Sequence, residues 1–308
     1  MSRIALLIQA APELEDSNYL RFGHQLALRG HEITLISIDS LGLKTGRVIG
    51  NGFPWSDTLA SGQTLPILNE TEIDHDLVWI LSIGERTSFL DKFQLLYAIS
   101  KRTQVINSLD AIMHLKSKYY LATRPDVFPT PETHASPDAE ALKTVIRKNG
   151  GKWIIKPPAG SLGRDVFLVD DNDSNLGAIL QHMCGPENDR YTMIQRYVPE
   201  IEAGEKRILI AGGKVIGQYR RIADGDHRTN VNQGARVECT ELTQPESDYC
   251  QKLASTLLDE GVLFAGIDLA FPWLIEVNVI NPGGVTTIED LTGTDLSSSV
   301  VESVLAAV

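Results

Sequence analysis

Three oxygen-bearing side chains set between apolar runs near the end of the chain constrain it more than any other feature. Gly266-Ile267-Asp268-Leu269 is followed, across Phe271-Pro272, by Trp273-Leu274-Ile275-Glu276-Val277-Asn278-Val279. Each run reads as a strand, and alternate residues of a strand share a face, so Glu276 and Asn278 lie together. If the two runs pair as a hairpin around Phe271-Pro272, Asp268 falls on that face too. Two carboxylates and an amide held among buried residues are costly unless a positive group fills the space between them. The plainer reading has Asp268 capping a turn and Glu276 facing solvent at an edge. The aliphatic density and the close spacing of the three oxygens argue against it. Hard oxygen donors without sulfur or imidazole select Mg²⁺, with Mn²⁺ as the alternative, and Mg²⁺ usually works beside phosphates.

The remainder fits an ordinary globular protein. A chain of 308 residues is expected to form two or three domains. Its net charge of -12, with no dense Lys/Arg run, argues against nucleic-acid or anionic-membrane partners. No run is apolar for long enough to span a bilayer, and residues 1–9 read as a first strand rather than a signal peptide. Three scattered cysteines (Cys184, Cys239, Cys250) fit neither a disulfide framework nor a zinc site, so a cytoplasmic location is expected.

Along the chain, strands are expected at 3–9, 32–38, 76–81 and 104–106, with helices at 17–29, 88–101 and 109–123. This is a βαβ pattern and predicts a parallel sheet. Ala10-Ala11-Pro12-Glu13-Leu14 stands where a Gly-rich dinucleotide fingerprint would, so the layout is Rossmann-like without the usual cofactor signal. Residues 42–66, rich in Gly, Pro, Ser and Thr, read as an irregular excursion. Prolines at 125, 129, 131 and 137 mark a boundary. A small α+β unit follows, with strands at 152–156, 165–169 and 191–196 and helices at 138–148 and 174–183. Gly212-Gly213 predicts a hairpin of 205–211 with 214–222, then a polar loop at 223–236 and helices near 246–260 and 295–307. The expected divisions are 1–115, 116–198 and 199–308.

Other candidate residues cluster between these elements. The segment Lys156-Pro157-Pro158-Ala159-Gly160-Ser161-Leu162-Gly163-Arg164 is either a glycine-bearing hairpin connection or a loop whose amides approach an anion, with Lys156 adding a point charge. It lacks the Gly-Lys-Ser/Thr of a Walker loop. Gln195-Arg196-Tyr197-Val198-Pro199 is a linker that could read a base edge in an interdomain cleft. Arg207, Arg221, Arg228 and Asn230 precede the oxygen-bearing strands, where cations suit a transferring phosphoryl group. The seven histidines show no ligand spacing, and no nucleophile elbow supports Ser-His-Asp chemistry.

Taken in order, these pieces resemble the ATP-grasp superfamily and, within it, the bacterial glutathione synthetases. The resemblance rests on Lys118, Lys156-Pro157, Gln195-x-Tyr197-x-Pro199, Glu205-Lys206-Arg207, Arg221-Ile222, Arg228-Thr229-Asn230, Phe264-Ala265-Gly266-Ile267-Asp268 and Glu276-Val277-Asn278-Val279. It implies an α/β protein, α+β in its ATP-grasp part: a Rossmann-like N-terminal domain followed by a two-lobed ATP-grasp fold. By the same resemblance Lys118 and Lys156 hold ATP phosphates, and the loop of Gly160, Ser161 and Gly163 closes over them. Gln195, Tyr197 and Val198 meet the adenine, and Glu205 the ribose. Asp268, Glu276 and Asn278 bind two Mg²⁺, while Arg207, Arg221, Arg228 and Asn230 serve the transferred phosphoryl group. The reaction implied is amide formation between a small acidic peptide or amino acid and an amine such as glycine, with ATP as co-substrate. The resemblance also allows a homo-oligomer. An ATP-grasp amino-acid or dipeptide ligase, or a non-catalytic ATP-binding regulator, stand as alternatives. The chain departs from the synthetase pattern at Ser82-Ile83-Gly84-Glu85-Arg86-Thr87 and at Asn281-Pro282-Gly283-Gly284.

Overall fold

The computed structural model describes residues 1–160, 165–223 and 234–308. Among them no helix is long and apolar enough to cross a membrane. Strands β1 (Arg3–Ile8), β2 (Glu32–Ser37), β3 (Gly42–Lys44), β4 (Arg47–Pro54), β5 (Asn69–Glu72), β6 (Leu77–Ile80) and β7 (Gln104–Ile106) form the first sheet, ordered β3-β4-β2-β1-β6-β7 with β5 on β4. Its β2-β1-β6-β7 part is parallel, as the βαβ pattern predicts. The run Ile4-Ala5-Leu6-Leu7-Ile8 is buried throughout because helices or a second sheet cover both faces of a parallel sheet. Helices α1 (Asn18–Leu28), α2 (Phe89–Ser100), α3 (Leu109–Leu115) and α4 (Tyr119–Thr123) accompany it.

Two local expectations are corrected here. The segment 42–66 is irregular only beyond Pro54, since β4 extends the sheet antiparallel to β2, pairing Leu35 with Phe53. Its glycines hid the alternation. A Cβ on Gly52 would lie 2.4 Å from the Leu35 carbonyl oxygen, so the inward position must be empty for the strands to meet. The helix expected over 109–123 is split into α3 and α4. Lys118 lies at the break, and its backbone N–H donates to the Pro158 carbonyl at 3.3 Å instead of continuing a helix.

Strands β8 (Thr133–Ser136), β9 (Lys152–Lys156), β10 (Phe167–Asp170) and β11 (Thr192–Arg196) make an antiparallel sheet ordered β10-β9-β11-β8. Helices α5 (Ala139–Asn149) and α6 (Leu176–Cys184) cover one of its faces. Alternation sends Trp153, Ile155 and Ile194 to these helices, where they form a separate core with Leu142, Ile146 and Leu180. β8 lies within the proline-rich stretch and is unanticipated.

The third sheet contains β12 (Glu205–Ala211), β13 (Lys214–Ile222), β14 (Arg236–Glu238), β15 (Phe264–Ala270) and β16 (Trp273–Asn278), ordered β14-β13-β12-β15-β16. Helix α7 (Gln244–Asp259) precedes β15, and α8 (Val285–Thr292) and α9 (Leu296–Ala306) end the chain, α8 being unanticipated. This sheet shares its apolar core with the first. Ala5, Leu7 and Val78 cluster with Ile208, Ile210 and Ile267, and Phe22 stacks on Trp79 at 4.8 Å with Phe264 edge-on.

One polar residue fastens the two sheets. Asn107, just after β7, is 2% exposed. Its amide nitrogen donates to the carbonyls of Phe264 (2.7 Å) and Val279 (2.6 Å), and its oxygen accepts from the N–H groups of Leu263 (2.7 Å) and Phe264 (2.9 Å). Every hydrogen-bonding capacity of a buried amide is thereby met. Asn107→Ala strands these four backbone groups, and thermal or urea unfolding should show a loss of about 3 kcal/mol or more.

Candidate active site

The site grows from the register of the third sheet. Asp268 lies opposite Glu276 on one side and Arg207 on the other; Gly266 lies opposite Asn278; Glu205 pairs with Arg221 and Arg207 with Tyr219. Because side chains alternate, Ile208, Ile210 and Ile267 enter the shared core. Glu205, Arg207, Tyr219, Arg221, Asp268, Glu276 and Asn278 are left on the opposite face. The hairpin expectation for the three oxygen donors is therefore met in register.

At the centre Asp268, 3% exposed, is gripped by two buried arginines. Arg207 donates through Nε to Oδ1 and through Nη2 to Oδ2 at 3.0 Å, and Arg221 Nη2 lies 2.7 Å from Oδ1. The same Arg221 nitrogen donates to Glu205 Oε2 at 2.7 Å, and Arg207 Nη1 donates to the Gly283 carbonyl at 2.9 Å. Burial by itself would raise the Asp268 carboxyl, but the charges of Arg207 and Arg221 hold it below the usual carboxylate range. Both guanidiniums move the opposite way. Burial opposes their charge, and Asp268, joined by Glu205 at Arg221, more than restores it.

Two lysines face this surface from other elements. Lys118 Nζ donates to Glu276 Oε1 at 3.0 Å. Lys156, at the end of β9, donates to Gln195 Oε1 at 2.7 Å. Burial, aided by the neighbouring Lys118 charge, pushes the Lys156 ammonium down to about 8, although Glu276, Glu205 and Asp268 pull it back. Keeping it charged without a further anion costs on the order of 3 kcal/mol, which an arriving polyphosphate would relieve.

The linker and loop residues are arranged around these lysines. Val198 is buried, and the Tyr197 hydroxyl donates to Glu202 at 2.9 Å. Partial burial and the Glu202 carboxylate raise that phenol to about 12. Gly160 folds back so closely that a Cβ would stand 2.6 Å from the Pro157 ring. Ser161, Gly163, Arg228 and Asn230 lie outside the described residues.

The structure adds residues that the sequence did not single out. Arg86 reaches from the segment after β6 to donate to the Ala159 carbonyl at 3.1 Å. Lys116 is half-buried, and burial, then the charges of Arg86 and Lys118, lowers its ammonium. Asn18 on α1 holds the Asn281-Pro282 segment, donating to Asn281 Oδ1 at 2.7 Å and to the Pro282 carbonyl at 3.0 Å. Arg86 stood in a segment whose departure from the expected pattern was visible. Asn18 carried no local signal, because its partners lie more than 260 residues away.

The donor set fits a hard divalent cation. The Asn278 amide nitrogen is buried without a hydrogen-bond partner, and turning the carboxamide over presents its oxygen there instead. Among the described residues no three His, Cys, Asp or Glu side chains gather into a complete protein cage. Two carboxylates and one amide suit Mg²⁺, which is commonly held by one or two carboxylates together with substrate phosphates.

This fold and face define an ATP-grasp protein. Over nearly the whole of both chains it superposes on D-cycloserine synthetase DcsG (TM-score 0.68, 14% identity, 98% of this chain and 99% of that one). The RimK domain protein ATP-grasp from Sphaerobacter thermophilus gives a TM-score of 0.66 at 19% identity, covering 98% and 99%. The pattern of the family described as prokaryotic glutathione synthetase, ATP-grasp domain, matches residues 117–293, more than half of the chain, which belongs to this family. It is 32% identical to the glutathione synthetase of Nostoc sp. over 207 residues, 67% of this chain and 63% of that enzyme, so this match spans slightly less than two thirds of the relative. It is 26% identical to the Mesorhizobium japonicum glutathione synthetase over 275 residues, 88% and 87% of the two chains. With the Bradyrhizobium diazoefficiens glutathione synthetase it shares 30% identity over 230 residues, 74% and 69%.

Replacing Asp268 by Asn keeps the shape and removes the charge that two buried guanidiniums need. Urea unfolding at neutral pH should report a loss of about 3 kcal/mol. The folded-state pKa of Asp268 is depressed, so its contribution is complete above the unfolded value, near 3.9, and disappears as pH falls through the lower folded value. The variant should therefore lose less stability than the wild type on acidification below about pH 4.

Proposed function

We propose that this chain is an ATP-dependent carboxylate–amine ligase working through an acyl phosphate, with γ-glutamylcysteine and glycine as the leading substrate pair. The observation that carries the reading is one strand face on which Asp268, Glu276 and Asn278 stand beside the cations Lys118, Lys156, Arg207 and Arg221. In this reading a substrate carboxylate oxygen attacks the γ-phosphorus and ADP leaves. The amine nitrogen then attacks the acyl carbon, inorganic phosphate departs, and the nitrogen loses its proton. No covalent nucleophile is required of the protein, which contributes position and charge.

Lys118 and Lys156 contact phosphate oxygens, and Lys156 has reason to do so because among the described residues its hydrogen-bond partner is a neutral amide. Arg207 and Arg221 neutralise the charge developing on the transferred group. Glu205 holds the ribose, while Gln195, Tyr197 and Val198 border the adenine. Asp268, Glu276 and Asn278 hold two Mg²⁺, which when bound supply Lewis-acid neutralisation of the phosphates. Gly160 borders the phosphates. The separate core formed between Ala139 and Ile194 supports treating that stretch of 116–198 as a lobe of its own, while Leu121 and Phe128 join the core shared by the other two sheets. Free thiols at Cys184, Cys239 and Cys250 fit a cytoplasmic enzyme.

The Asn281-Pro282-Gly283-Gly284 segment, held by Asn18 and Arg207, sets the room left for the amine. Gly284 has φ +123°, and a Cβ there would press on Tyr219, so this turn depends on glycine. Its departure from the synthetase pattern favours, as a second reading, a ligase with another acid or amine.

The test supplies Mg-ATP with γ-glutamylcysteine, other dipeptides or free amino acids, together with glycine or other amines, and follows phosphate release and product mass. Phosphate release should require an acid, and Asp268→Ala and Glu276→Ala should lower turnover at least about a hundredfold. Release that never depends on an added acid refutes the ligase. A second expectation concerns Lys156, whose charge is lost as pH rises through about 8. ATP affinity, measured by calorimetry, should weaken above that pH in the wild type, while Lys156→Met binds weakly at every pH and shows no such decline.

A further inference from the structure

We propose that Thr133 is a positioning residue for the phosphate lysine Lys156, acting through the side-chain amide of Gln195. The inference rests on the reading of Lys156 as a phosphate contact. Strand pairing places Thr133 directly opposite Gln195. Lys156 lies opposite Met193, and therefore diagonal to Gln195, within reach of long side chains. Since Trp153, Ile155 and Ile194 point toward α5 and α6, these three polar residues share the other face, toward the third sheet's charges.

The hydrogen bonds allow only one arrangement. A threonine hydroxyl has a single proton, and that of Thr133 is donated to the Pro131 carbonyl at 2.7 Å. Toward Gln195 the Thr133 oxygen can only accept, and it receives the amide nitrogen at 3.0 Å. The Gln195 oxygen must then face the other way, where it accepts from Lys156 Nζ at 2.7 Å. Reversing the amide would set its NH₂ against the ammonium and its oxygen against the threonine lone pairs. Gln195 is 5% exposed, so solvent offers little repair of these mismatches.

An amide oxygen at this position does something a carboxylate would not. It aims the ammonium without neutralising it, and the other ammonium protons of Lys156 meet no partner among the described residues. A carboxylate would pair with the lysine and compete with phosphate for it. Thr133 thus selects which end of Gln195 the lysine sees, although it lies in a strand that the sequence pattern did not indicate.

Thr133→Val and Thr133→Ser separate hydroxyl from methyl in the full-length chain. Thr133→Val should raise the Kd and KM for ATP about tenfold while leaving kcat within about twofold. Thr133→Ser should bind ATP within about twofold of the wild type. Because Thr133 acts through the amide, Thr133→Val added to Gln195→Met should weaken ATP binding no further than Gln195→Met alone. If Thr133→Val by itself folds poorly, the double variant, apolar at both positions, still carries that comparison. Wild-type affinity in Thr133→Val, equal losses in the Ser and Val variants, or additive losses in the double variant would each overturn the proposal. Lys156→Met is the control. If it binds ATP like the wild type, the phosphate reading of Lys156 fails. If it binds weakly while Thr133→Val binds normally, only the role of Thr133 fails.

Discussion

Asp268 sits where two guanidiniums meet, and much of the candidate site depends on that contact. A carboxylate this deeply buried is sustained only by opposite charge and well-aimed donors, which Arg207 and Arg221 provide. Each arginine makes a second connection, Arg221 to Glu205 and Arg207 to the Gly283 carbonyl. One buried charge therefore spans β13, β12 and β15 and reaches the turn before α8. The strands cannot slip by a residue without sending the charges into the apolar core and Ile267 into the cleft.

The surrounding charges explain why this face suits a polyanion and a cation together. Lys118 occupies Glu276, and Lys156 is buried against a neutral amide. In the proposed function both lysines turn to phosphate, and Glu276, released from Lys118, would be left to hold a metal. In the proposed mechanism phosphates would take the two lysines, and Glu276, so freed, would be available with Asp268 and Asn278 to hold Mg²⁺. Such an exchange changes partners within a preorganised site instead of assembling one from flexible parts.

Legibility in the sequence followed the range of the interactions. Alternation and helical spacing revealed most strands and helices, including 152–156, 205–211 and 214–222 with correct ends. It failed at β4, where Gly50 and Gly52 look like loop residues but Gly52 is required by the approach of the β2 backbone. It also failed at β8, whose proline-rich surroundings masked a short edge strand. Lys118 was recognised as important but assigned to a continuous helix, because its break depends on a hydrogen bond to Pro158. Gln195 was read as a base contact, and the structure shows its amide engaged by Lys156 and Thr133.

The sequence by itself determined the βαβ beginning, the hairpin carrying Asp268, Glu276 and Asn278, and that these oxygen donors share one face. These follow from residue type and from spacing over a few positions, which local periodicity encodes. Only the tertiary structure decided which cation each acid holds, which end of Gln195 faces Lys156, and that Asn107 and Asn18 tie the N-terminal sheet and helix to segments beyond residue 260. Those choices depend on cross-strand register and on matching every buried donor to an acceptor across long separations, and no local pattern of residues carries that information.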